Sequence, residues 1–338
     1  MSAKKRFTQI SFTSLMLSLM LFNTSCQEFL EEIKDELKGN KDQELPETVV
    51  INQQALYPEG VEFDPLSGQF LVSSLTQGTI GKVDDEGQYT PFIEDDDFVA
   101  TIGIQVDISL KRLLVCISDP NAGNLAALGI YDLNNADRLE YVNLGESLAP
   151  GEPHFANDVA VDDEGNAYVT DSFSPYIYKV ARNGDAEIFL SDDTFATPAG
   201  AFGLNGIIYH PDGYLIAGFS ATNSLYKIPL DDPYDFSQIH LDAALTGPDG
   251  LYLSRNAKTL IVVNNAGGVA PGKVLAFESE DDWESAALEE EFVTGQVFPT
   301  TAVQRENEFY VLYAYLNELF SGNTSLDEYQ IKQVDFDD

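Results

Sequence analysis

Short apolar runs separated by turn residues fill the chain from about residue 48 onward, and they return in a fixed order. A first run follows a Gly, Asp or Thr: Gly60-Val-Glu-Phe-Asp64, Gly103-Ile-Gln-Val-Asp107, Asp158-Val-Ala-Val-Asp162, Gly206-Ile-Ile-Tyr-His210, Gly250-Leu-Tyr-Leu-Ser254 and Thr301-Ala-Val-Gln-Arg305. Each is closed by a turn such as Asp163-Glu-Gly165 or Pro211-Asp-Gly213, and a second run follows, as in Ala167-Tyr-Val-Thr-Asp171 or Leu260-Ile-Val-Val-Asn264. Runs of four or five residues rich in β-branched and aromatic side chains, bounded by Gly, Pro, Asn and Asp, predict strands joined by hairpins.

Third runs follow in every unit (Tyr176–Val180 and Ser224–Ile228 are two of them), and fourth runs in five, including Ala186–Leu190 and Gln238–Leu241. The interval of roughly 43 to 55 residues is that of propeller blades. The last unit runs out after Gln330–Phe336, while Thr48-Val-Val-Ile-Asn52 stands alone ahead of the first. Pairing these two would close the ring and leave no exposed edge. The expected fold is therefore all-β: a six-bladed β-propeller over residues 47–338, with an N-terminal strand closing the last blade.

The first 46 residues read differently. Lys4-Lys5-Arg6 precedes a Leu- and Met-rich stretch from Phe12 to Phe22 that is too short for a comfortable membrane span. This is the pattern of a secretory signal over residues 1–25. Small residues lead up to Cys26, as in a bacterial lipobox, so Cys26 is the expected lipidation site. Residues 26–46 are polar and acidic and read as a flexible tether. Gln27 beside the cysteine favours an outer-membrane anchor in the bacterial envelope, on its periplasmic or surface face. The other cysteine, Cys116, lies in an apolar run and reads as a small buried hydrophobe.

Eighteen basic against 56 acidic residues give a formal net charge of −38. Such a surface repels phosphate backbones, so no nucleic-acid partner is expected, and it gathers cations. A monomer acting on a small molecule is the expected state.

The residue just before each first run carries a carboxylate or an amide in four units: Glu59, Asn157, Asn205 and Asp249. In the other two it is Ile102 and Thr300. Asn or Asp ahead of a strand commonly serves a local turn. Four oxygen-bearing side chains at one place in the repeat instead suit a hard cation, most simply Ca2+, at the mouth of the central channel. Two carboxylates balance a divalent charge, and the absence of a Cys or His cluster disfavours zinc.

These residues also carry a resemblance. Pro58-Glu59-Gly60, Asn157-Asp158, Asn205-Gly206 and Pro248-Asp249-Gly250, in that order, resemble the gluconolactonase and senescence marker protein (regucalcin) family, which is close to diisopropyl fluorophosphatase. The resemblance implies a six-bladed propeller with a central divalent ion, usually calcium, held by Glu59, Asn157, Asn205 and Asp249. It also implies hydrolysis of lactones or related esters. Two departures stand out. Phe155 occupies the place of an Arg that holds the sugar acid in regucalcin-like members, and Thr300 lies in the region where the phosphotriesterase relatives carry a His.

The substrate pocket is accordingly expected to involve His154, Phe155, Phe202 and Thr300, with Phe298 nearby, and to be more apolar than that of a sugar lactonase. No Gly-x-Ser-x-Gly elbow or triad spacing appears. Chemistry would rest on the metal, with Asp249 either activating a water or attacking the carbonyl. A second reading is a non-catalytic, lipid-anchored propeller that binds a ligand or protein through its mouth, calcium being structural.

Overall fold

The computed structural model describes residues 45–336. The signal peptide, Cys26 and nearly all of the tether lie outside the described residues. From Glu47 onward the chain forms one compact unit.

Its building block is an antiparallel meander of four strands. Val61–Asp64, Gln69–Val72, Thr79–Val83 and Tyr89–Glu94 make one such sheet. Ala100–Asp107 through Arg138–Asn143 make the next, and His154–Val161 through Ala186–Ser191 another. A two-residue parallel contact, His154 and Phe155 against Asn124 and Leu125, joins these last two. The first strands of successive meanders touch one another in cyclic order, and Val61–Asp64 meets Pro299–Arg305. Sheets arranged in this way around a shared axis form a β-propeller.

The closing strand is where the pattern placed it. Thr48–Asn52 pairs antiparallel with Glu328–Gln333, completing the sheet that contains Pro299–Arg305 and Glu308–Tyr313. One expected strand is divided. Ser237–Gln238 continues its own sheet, but His240–Leu241 crosses over to pair in parallel with Ser285–Ala286 of the following sheet. Ile239 between them is buried, and that anchor re-aims the chain between sheets.

The hairpin turns explain their own sequences. An aspartate at the end of a first strand, or one residue past it, caps the turn that follows: Asp64 Oδ1 accepts from Leu66 N at 2.9 Å, and Asp162 Oδ1 from Glu164 N and Asn166 N at 3.0 and 2.8 Å. The core lies between sheets and is built of Val, Ile, Leu and aromatic side chains, with Tyr57, Phe70, Tyr178, Phe219 and Tyr310 among the largest buried groups. Cys116 is buried and unpaired, as expected of a packing residue. Among the described residues no helix is long and apolar enough to cross a membrane.

Candidate functional site

Of the four polar residues of the repeat, only Glu59 precedes its first strand; the other three lie inside theirs, at a β-bulge. Thr101 and Ile104 pair with Ile117 and Val115, so the first strand carries one residue more than its neighbour. The same slip falls between Ala156 and Val159, Leu204 and Ile207, Pro248 and Leu251, and Pro299 and Ala302. Asn157, Asn205, Asp249 and Thr300 each occupy the bulge. Glu59 takes the same place, where Ser73 Oγ accepts from Glu59 N and Gly60 N in lieu of a ladder bond. A bulge re-aims one side chain out of the alternation of the strand.

The residue that follows is Gly in four of the six positions because neighbouring backbones come close there. A Cβ on Gly206 would lie 2.3 Å from the Asp249 carbonyl, and one on Gly250 2.7 Å from that of Thr300. Where the glycine is replaced, the side chain stitches the ring instead. Asp158 Oδ2 accepts from Ile207 N at 3.2 Å, and Thr301 Oγ1 donates to the Glu59 carbonyl at 2.9 Å.

A second set of residues fixes the orientation of the first. Asn157 Nδ2 donates to Ser172 Oγ at 2.9 Å, and that hydroxyl donates to the Leu204 carbonyl at 2.5 Å. Asn205 Nδ2 donates to Ser220 Oγ, which donates to the Pro248 carbonyl. Asn265 Nδ2 donates to Asp249 Oδ2 at 2.7 Å. With their amide nitrogens committed, both asparagines present carbonyl oxygens that have no donor. Glu59 Oε2, Asn157 Oδ1, Asn205 Oδ1 and Thr300 Oγ1 are all buried without a hydrogen-bond partner.

One unsatisfied buried oxygen costs about 1–3 kcal/mol, so four at equivalent positions call for a partner that lies outside the polypeptide. Burial raises the pKa of Glu59 well above its ordinary value, and Asp249 and Asp158 raise it further. Burial likewise pushes Asp249 up to about 7, against the hydrogen bond from Asn265. Oxygens without donors, beside carboxylates that resist ionising alone, fit a divalent cation with hard oxygen ligands.

Glu59, Asn157, Asn205 and Asp249 together line a cavity of about 350 Å3. Much of its wall is apolar, with Leu75, Ile102, Phe155, Phe202, Phe298 and Phe320 prominent. Phe155, Phe173 and Phe202 form a triangle with ring centroids 5.2–5.3 Å apart. Phe298 is set by backbone strain, with φ at +48° two residues ahead of Thr300. Tyr57 at +43° and Gly247 at +59° hold the same place ahead of Glu59 and Asp249, each followed by a proline. Only the glycine adopts that conformation without cost; a bulky residue there costs roughly 1–3 kcal/mol.

In sequence the chain matches no family model and no curated protein. Its fold is similar to that of the major allergen Mala s 1 of Malassezia sympodialis, with a TM-score of 0.71 and 18% identity over 86% of this chain and 97% of that one. A gluconolactonase from Xanthomonas campestris superimposes with a TM-score of 0.58 and 16% identity, covering 85% and 89% of the two chains. Virginiamycin B lyase from Staphylococcus aureus does so at 0.54 and 13%, covering 85% and 99%. What they share is the propeller. Proteins so differently named on one propeller leave function to be argued from the site.

Two expectations need correction. His154 does not line the cavity; it is 1% exposed, with Nδ1 2.8 Å from Asp171 Oδ2 and Nε2 2.9 Å from the Ala149 carbonyl. Both ring nitrogens face acceptors, an arrangement that favours the protonated ring. Burial pulls its pKa down, but the bonds to Asp171 and Ala149 outweigh that and raise it. Asp171 Oδ1 also accepts from Phe155 N, Phe173 N and Ser174 N, so the pair shapes the aromatic wall from behind. Thr300 is not on the cavity wall either; it is fully buried, and its hydroxyl is one of the unpartnered oxygens.

Ser172, Ser220 and Asn265 were not singled out from sequence. Their signal was present, since each is a polar residue at or just past the end of a second strand, in register with its counterparts.

Proposed function

We propose that the chain is a divalent-metal-dependent hydrolase of lactones or related esters, built on a six-bladed propeller, with calcium as the metal. The observation that carries this reading is the set of buried oxygens without partners at equivalent bulges beside an apolar cavity. Glu59, Asn157, Asn205 and Asp249 would hold the ion, with Thr300 as a fifth oxygen. A bound divalent ion supplies Lewis acidity that polarises an ester carbonyl and stabilises the oxyanion formed on attack.

The chain supplies the rest. Asn265 fixes the Asp249 carboxylate, which takes the proton of the attacking water. The water oxygen joins the acyl carbon, the C–O bond to the leaving alkoxide breaks, and the proton returns to that alkoxide. For a lactone the product is one hydroxy acid. Ser172 and Ser220 keep the asparagine oxygens in place throughout. The lipobox around Cys26 supports attachment to the outer membrane of a bacterial envelope through an N-terminal lipid.

A panel of lactones and aryl esters, assayed with calcium and with chelator, tests the reading. Chelator-sensitive turnover is expected. Thermal stabilisation by calcium with no turnover of any substrate would overturn it in favour of a non-catalytic binding platform.

A further inference from the structure

We infer that the cavity takes an uncharged substrate whose non-reacting part is apolar, an alkyl- or aryl-substituted lactone or ester, and excludes polyhydroxylated ones. The reaction class rests on the hydrolase reading; the polarity of the ligand does not. Among the described residues no Lys, Arg or His lines the cavity, whereas Glu59 and Asp249 do and would balance the charge of the proposed ion, so an anionic sugar acid would find no side-chain counter-charge there.

The polar groups beyond the proposed ligands are already committed. Ser220 Oγ accepts from Asn205 Nδ2 and donates to the Pro248 carbonyl. Asn265 donates to Asp249, and its Oδ1 accepts from Gly267 N. A sugar hydroxyl placed here would find aromatic rings where it needs donors and acceptors. Each hydroxyl so buried would weaken binding by about 5- to 150-fold.

The rim points the same way. Phe320 and Phe202 are 62% and 42% exposed at the cavity, on a surface otherwise dense in carboxylates. Exposed phenylalanines at a concave opening gain by covering an apolar ligand, and an alkyl chain gains about four-fold in affinity per methylene it buries.

The test uses the calcium-loaded chain and five-membered lactones whose side chain lengthens from methyl to heptyl, with D-glucono-1,5-lactone as the polar arm. Matching lactams, which are not turned over, are titrated by calorimetry. Expected is a rise of up to about four-fold per methylene in kcat/KM and in lactam affinity, with gluconolactone far slower. A flat series, or gluconolactone as the better substrate, overturns the inference while leaving the hydrolase intact. Absence of turnover with chain-length-dependent lactam binding sinks the hydrolase and supports the apolar ligand. Neither turnover nor lactam binding overturns both. Phe320→Ser should flatten the chain-length dependence while keeping the parent's calcium-induced rise in Tm; a dependence as steep as the parent's would count against the rim.

Discussion

Thr300→Val probes the ring with the smallest change in shape. The hydroxyl of Thr300 is fully buried and has no partner, and valine replaces it with a methyl of nearly the same volume. In the metal-free protein the substitution removes a desolvated hydroxyl, which is worth about 1–3 kcal/mol. For a domain of this size each kcal/mol moves Tm by about 1.5–2 °C, so the metal-free variant should melt at least about 1.5 °C above the parent. With calcium the order should change. If losing this oxygen weakens calcium binding ten-fold, stabilisation at saturating calcium falls by about 1.4 kcal/mol, which offsets the gain. Differential scanning calorimetry of both proteins, in chelator and in a calcium series, reads the two effects separately. A metal-free variant that melts lower than the parent would mean the hydroxyl is satisfied in the fold. An unchanged calcium-induced shift would mean Thr300 is no ligand.

Asp249→Asn should abolish lactone turnover while leaving the circular dichroism spectrum unchanged; full activity would dispose of the mechanism. In metal-free protein, Asp249 titrates near 7 when folded against 3.8 as its ordinary value, so the folded state binds more protons between those limits. Its contribution to stability is therefore greatest below about pH 4 and falls as pH rises towards 7, a slope visible by urea denaturation in chelator and suppressed by saturating calcium. His154 has a folded pKa above 6.5, so the stability it contributes is complete below that value and is lost as pH rises through the folded one. Removing its partner with Asp171→Ala should cost about 3–5 kcal/mol and loosen the Phe155–Phe173 wall, measured by the same denaturation. Gly206→Ala drives a methyl against the Asp249 carbonyl, which lies 2.3 Å from the Cβ position; a loss of about 1–3 kcal/mol and of calcium affinity is expected, by calorimetry.

The propeller was legible in the sequence because each first run opens with a close-approach residue and five of the six end with a side chain that caps the turn, and those two constraints recur at blade spacing. Thr48–Asn52 could be paired with the end of the chain from the edge it would otherwise expose. Glu59, Asn157, Asn205 and Asp249 were found by their shared position; Glu59 does stand ahead of its strand, but Asn157, Asn205 and Asp249 lie inside theirs, since a bulge leaves no local mark beyond the Gly or Asp after it. His154 was misread because its partner Asp171 is brought to it only by the hairpin that follows. Thr300 looked like a pocket residue because it lies in the region where the phosphotriesterase relatives carry a His, and a sequence does not show how deeply a hydroxyl is buried. The crossing at Ile239 was hidden for a similar reason: two residues in each of two sheets resemble one strand of four.

The seam between Thr48–Asn52 and Glu328–Gln333 has a consequence for how the domain is made. One half is the first part of the domain to leave a ribosome or a secretion pore, and its mate is nearly the last. Throughout that interval every sheet but the final one can form, while the first strand waits with its backbone uncovered. Assembly therefore finishes only once Glu328–Gln333 has emerged. A chain shortened before residue 328 would present two open edges at once and associate with its own kind.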